Sequence, residues 1–347
     1  MEGIKGLVSV VLPVRQWRDE TSLAIGSILD QSYQNIELLL IGQSCLNELI
    51  CGLRDARIND DRIRLVSRQS SGIVGALNTG LQAANGEFIA RMDDDDLAYP
   101  DRFDNQLRLL RNCPHIQLCA GRVRFIDKYG DPSGVGEGYQ RYARWLNQQT
   151  DPDAIALASY AENPMPHPTL LAHRALWTQL DGYRDVDGPE DHDLILRARL
   201  NGVRMGKPGE IVLDWREHAA RLTRTDERYR RRAFVALSAK ALVTEKNSLA
   251  GEFSRDVWIA GTGQQARHWH DELTALDVTV RGFVDMARPG PTRQKRGRTI
   301  ITYQQLAKQR TNELLISAVT QPVGRDAIRR FCHEQAWTEG NDFIMGS

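Results

Sequence analysis

The sequence predicts an α/β fold, a mostly parallel sheet with flanking helices followed by a second, smaller α/β unit. Three observations predict it. Short apolar runs alternate with helical patterns through the first half, as in a sheet whose parallel strands are joined by covering helices. A strand-like run ends directly in four aspartates, Asp93 to Asp96. A second alternating series opens at Asp256-Val257-Trp258-Ile259-Ala260 and continues to the last residue.

In order, Leu7 to Leu12 makes a buried strand, a helix spans about Glu20 to Asp30, and Ile36 to Ile41 and Ile63 to Val66 are the next strands. Ile73, Leu77, Leu81 and Ala84 recur at helical spacing, with Asn85-Gly86 as the stop. The strand Glu87 to Met92 then delivers the aspartates, and a helix starts around Leu97 to Pro100, where Pro100 suits a first turn and Phe103, Leu107 and Leu110 share a face. Ile116 to Ile126 has strand character, and the Gly- and Pro-rich stretch Asp131 to Gly138 is a surface loop. A long helix over roughly Asp226 to Asn247 and a linker, Ser248 to Ser254, complete the approach to the second series. The expected division is 1–225, a helix and linker over 226–254, and a small domain over 255–347.

Bulk properties exclude several classes. At 347 residues the chain can hold two cores. Lys plus Arg equals Asp plus Glu at 45 each, so no basic field is available for a nucleic-acid backbone. Five cysteines, Cys45, Cys51, Cys113, Cys119 and Cys332, are an odd number without metal-type pairing; they fit reduced packing residues and a cytoplasmic setting. The apolar run Leu7 to Val14 is too short for a leader or a span, and no window of about 18 apolar residues occurs. Peripheral contact with the inner membrane face stays open.

Like charges at a strand end repel unless a cation holds them, and Asp carboxylates are hard oxygen ligands suited to Mg2+ or Mn2+. Such an ion takes one or two carboxylates and completes its shell with substrate phosphate, so a diphosphate ligand is implied. The rival is a solvated acidic loop. Further on, Glu190-Asp191 open a helical stretch, His192 to Leu200, where acids commonly offset the helix macrodipole; for Glu190 alone that capping role is favoured.

The order of pieces resembles the family-2 glycosyltransferases with the GT-A fold. The matching text is Val10 to Val14, Ser27 to Glu37, Gly75 to Gly80, Gly86 to Asp96, Pro100-Asp101-Arg102, His167-Pro168-Thr169, and Gly182-Tyr183-Arg184 through Glu190 to Leu194, over about residues 5 to 225. The resemblance implies a metal-dependent, inverting transfer of a sugar from a nucleotide diphosphate donor to a glycan or lipid-linked acceptor of surface polysaccharide. It makes Asp93 and Asp95 the acids of the DXD motif, Asp95 as metal ligand and Asp93 as partner of ribose or metal, with Asp96 as support. It makes Asp191 the general base, the group that takes the acceptor proton. His218 matches a histidine that approaches the metal or the diphosphate, against an ordinary surface histidine; Arg216 and Arg221 are candidates for phosphate. His167 is expected to shape the acceptor side rather than to bind metal. Pro13, Arg15, Gln43, Arg91, Asp93 and Asp94 fall at the donor. Members usually carry Tyr-Asn after the first-strand Pro-Val and two aspartates after the second strand; this chain has Arg15-Gln16 and Gly42-Gln43. That departure implies an unusual donor or a degenerate, non-catalytic nucleotide-sugar-binding domain.

In the C-terminal series, Gly261-Thr262-Gly263-Gln264-Gln265-Ala266 with Asp285 has the form of a dinucleotide fingerprint. With Gly282 to Asp285 and Glu339 to Phe343 it resembles the small Rossmann-like domain appended to some bacterial sugar-modifying enzymes. A nucleotide there and a packing or oligomerisation role both stay open. The basic stretch Arg293 to Arg298 is a solvated loop first and a phosphate contact second.

Overall fold

The computed structural model describes residues 3–43, 46–250, 255–286 and 294–347. The chain forms two compact units: residues 1–155, 164–185 and 201–225 make the first, and 156–163, 186–200 and 226–347 the second. The stretches 156–163 and 186–200, inside the expected 1–225 division, thus cluster with the residues after 225.

In the first unit, β1 (Ile4–Pro13), β2 (Ile36–Gly42), β3 (Ile63–Ser67) and β4 (Gly86–Arg91) are parallel. The central strands β1 and β2 are buried on both faces, which is why they carry long apolar runs: β2 is buried at every residue, and Val8, Val10 and Leu12 are fully buried, whereas β3 at the sheet edge is only half-buried. The helix Asp19–Leu29 buries Ala24, Ile25 and Ile28 on this sheet. The helix Gly72–Ala83 comes so close that a side chain at Gly80 would strike Val11.

After the aspartates the chain forms a short strand, β5 (Leu97–Ala98), and the helix follows at Arg102–Asn112, later than the expected start. The expected strand Ile116 to Ile126 is two strands, β6 (Leu118–Cys119) and β7 (Arg122–Ile126), in different sheets. The chain changes sheets at Gly121, where any side chain would fall on Val212 and where Thr169 Oγ1 takes the Gly121 N–H at 2.9 Å. The expected loop at 131–138 holds a 3-10 turn, Pro132–Gly134, and the start of the helix Glu137–Gln148.

With β8 (Leu171–His173) and β9 (Met205–Gly206), the main sheet has the order β3-β2-β1-β4-β8-β6-β9, β8 lying antiparallel to its neighbours. The smaller sheet places β10 (Ile211–Arg216) between β5 and β7.

In the second unit, β11 (Val257–Ala260), β12 (Val280–Asp285), β13 (Gln294–Lys295), β14 (Arg298–Thr302), β15 (Leu314–Ser317) and β16 (Phe343–Met345) take the order β13-β14-β12-β11-β15-β16. All pairs are parallel except the β13–β14 hairpin, which the basic stretch forms; Arg293 lies outside the described residues. The helix Arg231–Ala250 runs through Ser248 to Ala250, expected as linker; the rest of that linker lies outside the described residues. Leu196, Val235, Ala239 and Leu242 join Ile259, Trp269 and Phe283 in one core. Cys119 and Cys332 are packing residues as expected, whereas Cys51 is exposed; Cys45 lies outside the described residues. Among the described residues no helix is long and apolar enough to cross a membrane.

Candidate functional site

The four aspartates sit where the sheet topology changes direction. β1 lies between β2 and β4, both parallel to it, so the carboxyl ends of all three share one edge. Open α/β sheets bind ligands in the crevice at such a point. Pro13 ends β1, Gln43 follows β2, and Gln43 Nε2 reaches the Arg15 carbonyl at 3.5 Å. The structure therefore brings Arg15 and Gln43 together, both exposed, at the edge that β4 shares.

Asp94 and Asp95 form a turn, which aims the carboxylates at different partners. Asp93 pairs with the buried Arg91 guanidinium, whose Nε and Nη1 have no hydrogen-bond partner among the described residues. Burial would pull Arg91 down, but the Asp93 charge holds it above its ordinary value. Asp94 Oδ1 meets Arg18 Nη2 at 3.0 Å; burial and the Asp95 charge still push its carboxyl up to about 7. Asp95 Oδ2 is 2.7 Å from His218 Nε2. Burial works against its charge, yet the His218 hydrogen bond and the His218 and Arg18 charges hold Asp95 below the usual carboxylate range. Asp96 is fully buried, and its Oδ1 accepts the Arg216 N–H at 2.8 Å. Burial, then the Asp95 and Asp93 charges, push it well above the usual range.

His218 arrives at Asp95 because β10 pairs with β5, the strand that leaves the aspartates. Arg216, considered for phosphate, is buried: Nε bonds the Asp95 carbonyl at 2.8 Å and Nη1 the Asp127 and Lys128 carbonyls. It therefore braces the turn. Arg221 pairs with Glu217 at 3.0 Å and lies over the Trp215 ring. Beneath the strand end, Arg102 is fully buried and donates to the Arg91 and Pro168 carbonyls at 2.6 and 3.0 Å. His167 is buried, 2.8 Å from the Tyr183 hydroxyl, and burial with the nearby Arg91 charge holds it well below its ordinary value, hence neutral.

One ligand atom from each of Asp93, Asp95 and Asp96 lies within 4.8 Å of the others. Asp96 Oδ2 is buried and has no hydrogen-bond partner among the described residues. A convergent all-oxygen set with an unsatisfied buried carboxylate fits a hard divalent cation. Sequence reasoning missed Arg18; its only signal was position, in the connection that follows the first strand.

In the second unit, Asp191 lies in the first turn of the helix Glu190–Leu200. Asn163 Nδ2 donates to its Oδ2 at 2.9 Å and the His192 N–H to its Oδ1 at 2.8 Å. Both oxygens are thus oriented while the residue stays half-buried. Glu190 does more than offset a helix dipole: it is buried, and the Tyr229 hydroxyl donates to its two oxygens at 2.9 and 2.8 Å. Tyr229 and Asn163 carried no sequence signal. Gly261 adopts φ +99°, Gly263 caps the helix Gln264–Ala275, and Thr262 Oγ1 donates to Asp285 Oδ2 at 2.9 Å.

Residues 9–159 match the family model described as Glycosyl transferase family 2. EpsE of Bacillus subtilis, named as a glycosyltransferase, is 29% identical over 233 residues, 66% of this chain and 77% of that protein. WbnJ of Escherichia coli, named as an O-antigen biosynthesis glycosyltransferase, is 26% identical over 221 residues, 62% of this chain and 81% of its own length. Among solved structures, Staphylococcus aureus TarS residues 1–349 in complex with UDP-GlcNAc superposes with a TM-score of 0.51 at 15% identity, covering 68% of this chain and 66% of that one. This last likeness concerns the fold. From the family match, the named relatives and the shared sheet architecture, residues 9–159 form a family-2 glycosyltransferase domain built on the GT-A fold.

Proposed function

We propose that the chain moves a sugar from a nucleoside diphosphate donor to an acceptor hydroxyl with inversion at the anomeric carbon. The convergence of Asp93, Asp95 and Asp96 at the switch point of the main sheet carries this reading. These three would hold Mn2+ or Mg2+, which, when bound, stabilises the charge gathering on the departing diphosphate. His218 and Arg18 orient Asp95 and Asp94, and Arg91 orients Asp93. Arg15 and Gln43 replace the usual base-binding groups: a guanidinium can stack on a base and an amide can both donate and accept at its edge. Asp191, with both oxygens already oriented, takes the acceptor proton as the hydroxyl attacks the face opposite the leaving group. TarS is described with UDP-GlcNAc and WbnJ with O-antigen synthesis, which supports a sugar-nucleotide donor and a surface-glycan acceptor. We assign residues 1–225 to the nucleotide-sugar transferase domain, acceptor base included, and 255–347 to the small Rossmann-like domain.

Asp191→Asn tests the reading. Turnover should fall at least about 100-fold, within the range removed with a general base, while Mn2+-dependent binding of a nucleoside diphosphate persists. Absence of binding by UDP, GDP and dTDP alike would favour the degenerate, non-catalytic domain.

A further inference from the structure

Within the second unit, the segment after residue 225 is pinned to the helix that bears Asp191. Tyr229 closes the 3-10 turn Glu227–Tyr229 and holds both oxygens of Glu190, the residue before Asp191. The next three residues, Arg230, Arg231 and Arg232, wall an open cleft of about 490 Å3. Gly263 and His268, after β11, and Thr320, after β15, contribute to the rest of the lining. β11 has parallel neighbours on both sides, β12 and β15, so the cleft lies at the topological switch of this sheet.

The lining is cationic and includes no carboxylate. Arg230 pairs with Glu227 and Arg232 with Glu272, while Arg231 makes no ion pair among the described residues. The cations are tied to the Asp191 helix through the chain, since Arg230 and Arg231 directly follow Tyr229, whose hydroxyl holds Glu190. A volume of this size accommodates a small ligand such as a phosphorylated sugar, and arginine forks match phosphoryl oxygens.

We propose that this cleft binds a phosphoryl group of the acceptor, which makes the C-terminal unit part of the acceptor site. The phosphate rests on Arg231 and its neighbours while the reacting hydroxyl lies at Asp191; the inference rests on the reading of Asp191 as the base. A dinucleotide is a poorer occupant. Asp285, which would read its ribose, is hydrogen-bonded to Thr262 and is not among the residues lining the cleft.

Calorimetric titration of the full-length protein in EDTA, where the acidic turn has no cation with which to attract phosphate, tests the site. The probes are glucose 1-phosphate, a short-chain prenyl diphosphate in detergent micelles, glucose and NADH. At least one phosphate probe should bind, glucose should not, and Arg230→Ala with Arg231→Ala should weaken the phosphate probe at least tenfold, with Arg231→Lys restoring part of it. The tighter of the two phosphate probes identifies a soluble or a lipid-linked source. Failure of both phosphate probes, wild-type affinity in the double variant, or NADH binding more tightly than either would overturn the assignment. UDP and GDP titrated with Mn2+ on the same preparations separate the two ideas: if a nucleoside diphosphate binds and the phosphate probes do not, only the acceptor inference fails. If no nucleoside diphosphate binds, the donor reading fails.

Discussion

His218 touches the proposed cation site only through Asp95, so its effect should be that of an outer ligand partner. His218→Ala should weaken Mn2+ binding, read by titration or electron paramagnetic resonance, about 10- to 100-fold. Elsewhere His192 is fully buried against Phe234, with Nε2 on the Ser238 hydroxyl at 3.0 Å, and burial pushes it down to about 3. The folded state thus resists protonation that the unfolded chain accepts near its ordinary value of 6.5. Its contribution is complete above that value and is lost progressively as pH falls below it, because the unfolded state then binds more protons. Between pH 7 and pH 5 thermal unfolding should shift down, and His192→Gln should flatten that slope relative to wild type. At this scale the sequence exposed the aspartates and Asp191 through residue type and order. It could not expose Arg18, Asn163 or Tyr229, because a partner that meets its acid across 28 to 76 residues leaves no local pattern.

Strands and helices were more legible than the partners of single side chains. Buried parallel strands carry long apolar runs, so β1 and β2 announced themselves, and the helix 72–83 followed from its spacing, although it ends at Ala84 in extended backbone and the expected stop residue Gly86 instead opens β4. The run 116–126 misled because the same residue types suit one strand or two; only Gly121, pressed against Val212, marks the change of sheet. Gly121→Ala should therefore destabilise the fold by about 1–3 kcal/mol through overpacking, seen as a lower midpoint in thermal or urea unfolding. It should also weaken Mn2+ binding, since β7 supports the β10 strand that presents Arg216 to Asp96.

Over the whole molecule, the two α/β series were visible in the alternation of patterns, but the grouping of 156–163 and 186–200 with the second unit was not. That grouping depends on Leu196 packing with Val235, Ala239 and Leu242, a match of faces distant in sequence. A fragment ending at residue 225 removes those partners, and Glu190 loses Tyr229. Such a fragment should have no measurable transfer activity, and its helix 190–200 should exchange amide hydrogens far faster than in the full chain. The polypeptide passes between the units at residues 155, 163, 185, 200 and 225. A ribosome therefore releases the segment bearing Asp191 well before it has made the residues that seat it. Until the residues after 225 are made, a nascent chain holds the acidic turn but lacks Tyr229 and the core partners that seat the Asp191 helix.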